Sequence, residues 1–166
     1  MNYETKVLTE KDRQIIPAYS GILRARMEDI SHFYSGTPIV QETLDKYNSE
    51  YLARCLSGKE DSRLVGHFSD NNLDGILIEG FKSEGQYDIT VLRWIMANQS
   101  GRGIGGRLIT NSISRARAEN KAGLQLVVAK ENLDAQRLYN KLGFKEIIEH
   151  RDYPSKLSIM TMYLDE

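Results

Sequence analysis

A glycine-dense segment, Ser100 to Gly106, is the part of the sequence whose residue types and spacing most directly indicate chemistry. It follows the apolar run Ile89–Met96 and precedes a helical pattern that begins at Arg107. Glycines let bare backbone N–H groups close around an anion, and the start of a helix adds roughly half a positive charge. The segment therefore predicts a phosphate-binding loop. Its glycines are Gly101, Gly103, Gly105 and Gly106.

Three alternatives compete with this interpretation. The spacing Gly101-x-Gly103-x-x-Gly106 also fits the dinucleotide fingerprint, but that motif needs an acidic residue about 20 positions later, after a second strand. Here Glu119 falls inside the predicted helix, so a nicotinamide-dependent enzyme is the weaker hypothesis. A P-loop is excluded because no Gly-Lys-Ser/Thr follows the glycines. A plain turn needs fewer glycines than this segment contains.

Composition limits what surrounds the loop. A chain of 166 residues, 40% hydrophobic and 27% charged, predicts one globular domain over residues 1–166. The net charge of -1 provides no bulk attraction to nucleic acid or to an anionic membrane. Cys55 is the one cysteine, and no leader or long apolar span is visible, which favours a soluble cytoplasmic protein. No His/Cys pair has ligand spacing, so we expect no metal.

The first half of the chain predicts a strand, two helices and an antiparallel meander. The strand at Tyr3–Leu8 enters a helix at a Thr9–Asp12 capping box, and Pro17 is expected to kink that helix. A second helix is predicted from Thr37 to Gly58. The meander strands are Arg63–Ser69, Gly75–Phe81 and Tyr87–Met96.

The second half predicts a crossover followed by a helix and two strands. After the glycine loop come a helix and the buried strand Leu124–Ala129. Asn132 is expected to cap the next helix, and Glu146–Glu149 and Leu157–Leu164 close the chain as strands. The predicted order is β-α-α-β-β-β-α-β-α-β-β.

Two segments, G-R-G-I-G-G-R-L-I and N-L-D-A-Q-R-L-Y-N-K-L-G-F, resemble the diagnostic motifs of the GNAT superfamily of acetyl-CoA-dependent N-acetyltransferases. Their order and separation agree, and the predicted element order is similar to the family's fold over essentially the whole chain. The resemblance implies an α/β (α+β) fold whose mixed, mostly antiparallel sheet has about seven strands and about four flanking helices. One departure is Ser100, which stands where the family usually has Gln or Arg, with Gln99 one residue early.

The resemblance also implies the cofactor site, with acetyl-CoA as cosubstrate. Amides of the glycine loop would bind its pyrophosphate, the backbone of the preceding strand would pair with the pantetheine arm, and an N–H near Ile95 would stabilise the oxyanion. Tyr139 matches the family's tyrosine that protonates the departing thiolate. The residues expected to bind the cofactor are Arg93, Ile95, Gly101, Arg102, Gly103, Ile104, Gly105, Gly106 and Asn132.

The expected reaction is direct attack of a primary amine, on a small molecule or a protein, within a ternary complex. The acceptor site is expected near Glu28–Tyr34 and Tyr153. The base stays unassigned, because Ile89 and Val91 occupy the strand positions where relatives place Glu or His, and Asp88 is out of phase. A water chain from Glu28, His32 or Tyr153 is the open alternative. The missing base supports the rival hypothesis, a catalytically weak coenzyme A-binding module with a regulatory role. A homodimer is among the expected assemblies.

Overall fold

A mixed sheet runs through the part of the chain that the computed structural model describes, which is residues 1–164 without the side chain of residue 146. Within that range the sheet has seven strands: β1 (Tyr3–Val7), β2 (Ser62–Ser69), β3 (Asn72–Glu84), β4 (Tyr87–Ala97), β5 (Gly123–Ala129), β6 (Glu146–Glu149) and β7 (Leu157–Tyr163). Their spatial order is β1-β2-β3-β4-β5-β7-β6. β4 and β5 are parallel, and the other described pairs are antiparallel. The predicted fold class is confirmed.

Helices cover both faces of the sheet. The described residues form five α-helices: α1 (Ile16–Ile30), α2 (Ile39–Lys46), α3 (Ser49–Leu56), α4 (Ile104–Ala118) and α5 (Leu133–Leu142). The apolar sides of α1, α2 and α3 pack on one face, and those of α4 and α5 pack on the other. Across residues 1–164, no helix has the length and apolar composition that crossing a bilayer requires.

The helix predicted from Thr37 to Gly58 is in fact two helices, which raises the number from about four to five. Asn48 has an extended backbone, with φ −70° and ψ 168°, and its side chain accepts a hydrogen bond from the Tyr51 N–H. An asparagine that caps a new helix ends the preceding one, because the extended backbone breaks the helical ladder. The predicted Thr9–Asp12 capping box is present. It starts the 3₁₀ helix Glu10–Ile15, which continues directly into α1, and Pro17 lies in the first turn of α1.

α4 is held against the sheet by a close backbone approach and by a buried ionic network. A Cβ at Gly75 of β3 would collide with the side chain of Ile104, so glycine lets the start of α4 lie on the strand. The fully buried Glu79 binds Arg63 at 2.6 Å and also contacts Arg115 and Ser112 of α4. These contacts set the position of the helix and of the glycine loop that precedes it.

Candidate active site

The glycine loop presents a row of backbone amides at the start of α4. Gly101 and Gly103 have φ values of 80° and 73°, in the left-handed region that favours glycine. The Arg107 N–H bonds the carbonyl of Gly103 at 3.1 Å, which closes the first helical turn. Among the described residues, no hydrogen bond is donated by the amides of Gly101, Gly103, Ile104, Gly105 and Gly106.

The glycines have two structural roles. A Cβ placed on Gly101 or Gly103 would meet nothing within 4 Å, so the space beside these positions is open. Gly105 and Gly106 lie against Leu138 of α5, at 3.7 and 3.8 Å from a hypothetical Cβ. An open row of unpartnered N–H groups at a helix start fits a pyrophosphate. These residues therefore fit the coenzyme that the sequence indicates.

The side chains of the loop are directed to neighbouring residues. Arg102 is exposed and donates to the carboxamide of Gln99 at 3.1 Å. Arg107 lies over the ring of Tyr3, with the guanidinium carbon 3.9 Å from the ring centroid. The groups that this loop presents are therefore chiefly backbone N–H groups, and Arg102 is a loop side chain whose charge faces solvent.

Behind the loop, β4 and β5 separate. Their parallel pairing runs from Ile89 to Leu92 and ends there. Arg93 is a bulged residue, because Leu92 pairs with Glu79 and the next pairing is that of Trp94. In the described chain, no strand pairs with β4 on its β5 side beyond Leu92, so the backbone groups that point there are free for an added partner. Arg93 and Ile95, the residues expected to bind the pantetheine arm, lie in this stretch.

The Arg93 side chain braces the bulge from the α1–α3 face of the sheet. It donates to Asp61 at 2.9 Å and to Ser62 at 2.8 Å. The hydrogen bond from Arg93 holds the pKa of the Asp61 carboxyl well below its usual range. A Cβ at Gly80 on β3 would collide with the guanidinium, so this position leaves room for it. The ion pair links β4 to the start of β2.

α5 brings Asn132 and Tyr139 to the other side of the separation. The Asn132 side chain accepts from the Ala135 N–H at 3.2 Å and so caps α5 as predicted. Tyr139 is half-buried, and its ring packs edge-on against Phe144 with centroids 6.1 Å apart. No partner for its hydroxyl lies among residues 1–164. Burial and, to a smaller extent, the Tyr34 phenol raise the pKa of Tyr139, so it stays protonated at neutral pH.

A cavity of about 340 Å³ opens on the α1–α3 face, across the separated strands. Burial raises the pKa of Tyr34 in its wall to about 12, so this phenol is also neutral near pH 7. Within the described residues, the cavity is lined by Tyr34, Ile39, Glu42, Thr43, Lys46, Tyr47, Arg93, Trp94, Val127, His150 and Leu157.

The location of this cavity agrees only in part with the sequence-based expectation. Of the Glu28–Tyr34 segment, Tyr34 lines it, whereas Glu28 and His32 are exposed elsewhere. Tyr153 packs against the cluster beneath it. The sequence did not indicate the wall formed by α2, nor that Trp94 of β4 reaches the cavity. The sequence feature that could have indicated this wall is the mixed stripe of apolar and charged residues along α2.

Several other candidate residues lie outside this region. Asp88 is at the opposite end of β4, where it accepts from Ser83 at 2.6 Å, and five residues of strand separate it by about 16 Å from Arg93. Cys55 lies in the hydrophobic core, and burial raises the pKa of its thiol to about 11, so it is not a reactive thiolate. Within residues 1–164, no cluster of three His, Cys, Asp or Glu residues could hold a metal ion.

A model of the acetyltransferase (GNAT) family matches residues 23–144, which is most of the chain. The chain belongs to the GNAT acetyltransferase family. The match spans the meander, the glycine loop and α5, so both diagnostic motifs lie inside it. No curated protein sequence matches the chain significantly.

Solved GNAT structures share the fold over nearly the full length. PaiA N-acetyltransferase from Thermoplasma acidophilum, in complex with coenzyme A, is 18% identical with a TM-score of 0.78, covering 99% of this chain and 100% of its own. A GNAT acetyltransferase from Streptococcus pneumoniae is 18% identical with a TM-score of 0.71, covering 99% and 100%. A GNAT acetyltransferase from Elizabethkingia anophelis with acetyl-CoA bound is 18% identical with a TM-score of 0.60, covering 98% and 99%. Acetyl-CoA is the cosubstrate of GNAT enzymes.

Proposed function

We propose that this GNAT chain, acting as one domain over residues 1–166, transfers the acetyl group of acetyl-CoA to a primary amine. One observation carries the proposal. The separation of β4 from β5 joins the amide-lined loop on one side of the sheet to the cavity on the other. A thioester held along β4 and an amine held in the cavity would meet at the free backbone beyond Leu92.

The loop and β4 would hold the cosubstrate mainly through backbone groups. The amides of Gly101, Gly103, Ile104, Gly105 and Gly106 would bind the pyrophosphate, and Arg102 would add a charge-assisted contact. Arg93 and Ile95 would offer backbone groups to the pantetheine arm. The Asn132 carboxamide caps α5 through its oxygen, which leaves its N–H₂ group to donate to the cosubstrate.

The cosubstrate supplies an activated thioester carbonyl. The neutral amine nitrogen would form a C–N bond to that carbonyl carbon, giving an oxyanion that a backbone N–H near Ile95 would stabilise. As the oxyanion collapses the C–S bond breaks, and the nitrogen loses its proton to a base to leave the amide. Tyr139 gives its proton to the leaving thiolate. A phenol of raised pKa is a weak acid, and each unit of pKa difference opposes the transfer by about 1.4 kcal/mol. The same apolar surroundings also raise the thiol pKa, which offsets this cost.

The proposal is tested by following free thiol released from acetyl-CoA across a panel of primary amines, with the acetylated product identified by its mass shift. Thiol release that depends on both protein and amine supports the function. Calorimetry with coenzyme A is run in parallel. Tight coenzyme A binding without release for any amine would refute the enzyme and leave a binding protein.

That binding protein, catalytically weak and regulatory, is the second candidate. The lack of a base on β4 favours this candidate. Among the described residues, the one titratable side chain that β4 contributes to the cavity wall is Arg93, and an arginine stays protonated and cannot accept a proton from the amine. Glu42 of α2 is the carboxylate of the same wall and would replace the base that β4 lacks. A cytoplasmic location and a homodimer stay predictions, which fractionation and sedimentation would test.

A further inference from the structure

Two oppositely charged side chains of α2, Glu42 and Lys46, line the acceptor cavity one helical turn apart. With Ile39 and Thr43 they form a single face of the helix. A Glu and a Lys at this spacing commonly pair on a helix surface. Here no ion pair joins them, and none involves either side chain elsewhere in the described chain. Both charges are therefore available to a ligand.

The other cationic side chains near the cavity already have hydrogen-bond partners. The guanidinium of Arg93 is paired with Asp61 at 2.9 Å and bonded to Ser62 at 2.8 Å. Outside the wall, the Lys156 ammonium donates to the backbone oxygen of Ser35. Because these groups are paired, Glu42 and Lys46 are the carboxylate and ammonium that a bound molecule would meet.

Lys46 is held in position by aromatic rings. Its Nζ lies 5.3 Å from the ring centroid of Tyr47 and 5.5 Å from that of Tyr51. The Tyr51 hydroxyl in turn donates to Asp61 at 3.0 Å. Cation–π contacts restrict a long flexible side chain and so reduce the entropy lost when it binds an anion.

The two ends of α2 face different parts of the site. Ile39, in the first turn, packs in the cluster of Tyr34, Ala129 and Leu157. Tyr34 interacts electrostatically with Tyr139, the residue proposed to protonate the thiolate. Lys46, in the last turn, lies on the side of Tyr47, whose hydroxyl receives a hydrogen bond from Arg93. The Ile39 end of α2 therefore lies toward Tyr139. The Lys46 end lies toward Tyr47 and Arg93.

From this arrangement we infer that the acceptor is an aminocarboxylate, whose amine is held by Glu42 and whose carboxylate is held by Lys46. The inference rests on the proposed function and specifies its substrate class. The two Cα atoms of this pair are separated by about 6 Å along the helix axis, which suits an amine and a carboxylate several bonds apart. A diamine of equal length would bring its second ammonium to Lys46 and be repelled.

The test compares 4-aminobutyrate, butylamine and 1,4-diaminobutane at saturating acetyl-CoA, by thiol release and mass shift. In wild type, kcat/KM for 4-aminobutyrate is expected to exceed that for butylamine by roughly 10-fold or more, since a hydrogen bond to a charged group is gained. Lys46→Met should abolish the preference by raising KM for 4-aminobutyrate, whereas Lys59→Met should keep it. Lys46→Glu should reverse it in favour of the diamine. Lys59→Met, on an exposed lysine outside the cavity, is the matched control.

A binding measurement separates this inference from the proposed function. Saturation-transfer NMR of 4-aminobutyrate, with coenzyme A present, should give a signal with wild type and Lys59→Met but not with Lys46→Met. Binding without turnover of any amine would refute the acetyltransferase and support the aminocarboxylate site. Turnover in which butylamine or the diamine equals 4-aminobutyrate, or a preference that survives Lys46→Met, would overturn the substrate class and leave the acetyltransferase intact.

Discussion

The contribution of loop conformation to coenzyme A binding is tested by Gly103→Ala. Gly103 caps α4 with φ 73°, and an added Cβ meets nothing within 4 Å, so the cost of alanine is backbone strain alone. The left-handed conformation costs an L-residue about 1–2 kcal/mol. If the free loop keeps its conformation, the free energy of unfolding falls by that amount. If the free loop relaxes, the strain returns on binding and coenzyme A affinity falls by roughly 5- to 30-fold.

We predict the sum of the loss in stability and the loss in binding free energy. The unfolding free energy of the coenzyme A-saturated protein measures this sum, and calorimetry gives the part due to coenzyme A binding. Gly58→Ala is the matched control, because Gly58 has φ 70°, equally open surroundings and a position beyond α3. It should lose similar stability and keep full affinity. Gly105→Ala, whose Cβ would lie 3.7 Å from Leu138 within a helix, should bind normally. Unchanged stability of saturated Gly103→Ala, or an equal affinity loss in Gly58→Ala, would refute the reasoning.

Three further changes test other parts of the structure. Tyr139→Phe should lower kcat by about 10²-fold and leave the coenzyme A Kd unchanged in calorimetry, because it removes a proton donor and keeps the ring; unchanged kcat would exclude this role. Glu79→Ala should lower the urea-derived unfolding free energy by about 3–5 kcal/mol, since Arg115 loses its carboxylate partner and Arg63 keeps only Glu119; a loss near zero would contradict this. Asp61→Asn removes a carboxyl whose folded-state pKa is depressed, so its pairing stabilises the fold above about pH 4 and is lost as pH falls. The stability curves of wild type and Asp61→Asn should therefore converge in acid, and a constant difference would show that the pair contributes no pH dependence.

Local signals predicted much of the fold. The capping box at Thr9, the cap at Asn132 and the alternating apolar runs depend on neighbours in the chain, and the structure confirms each. The division of α2 from α3 was missed because the apolar stripe continues through Asn48. Its effect as a cap depends on one backbone angle, which composition and periodicity do not reveal.

The candidate site divides in the same way. The glycine loop was visible in the sequence because its chemistry resides in backbone freedom, which glycine spacing records directly. The cavity proposed to hold the acceptor was not visible in the sequence, because Glu42, Trp94 and Val127 belong to separate segments that meet only when β4 leaves β5. No local pattern specifies where a parallel pairing ends.

By itself, therefore, the sequence indicated the family, most of the order of elements and a glycine loop predicted to bind a pyrophosphate. The tertiary structure decided where the two strands separate, which residues wall the acceptor cavity, and that Arg93 is paired while Glu42 and Lys46 stay available. The physical reason is the separation along the chain over which each interaction acts. Turn and cap preferences act over a few residues, whereas compensation of a charge depends on which distant side chains the packed fold brings within a few ångströms.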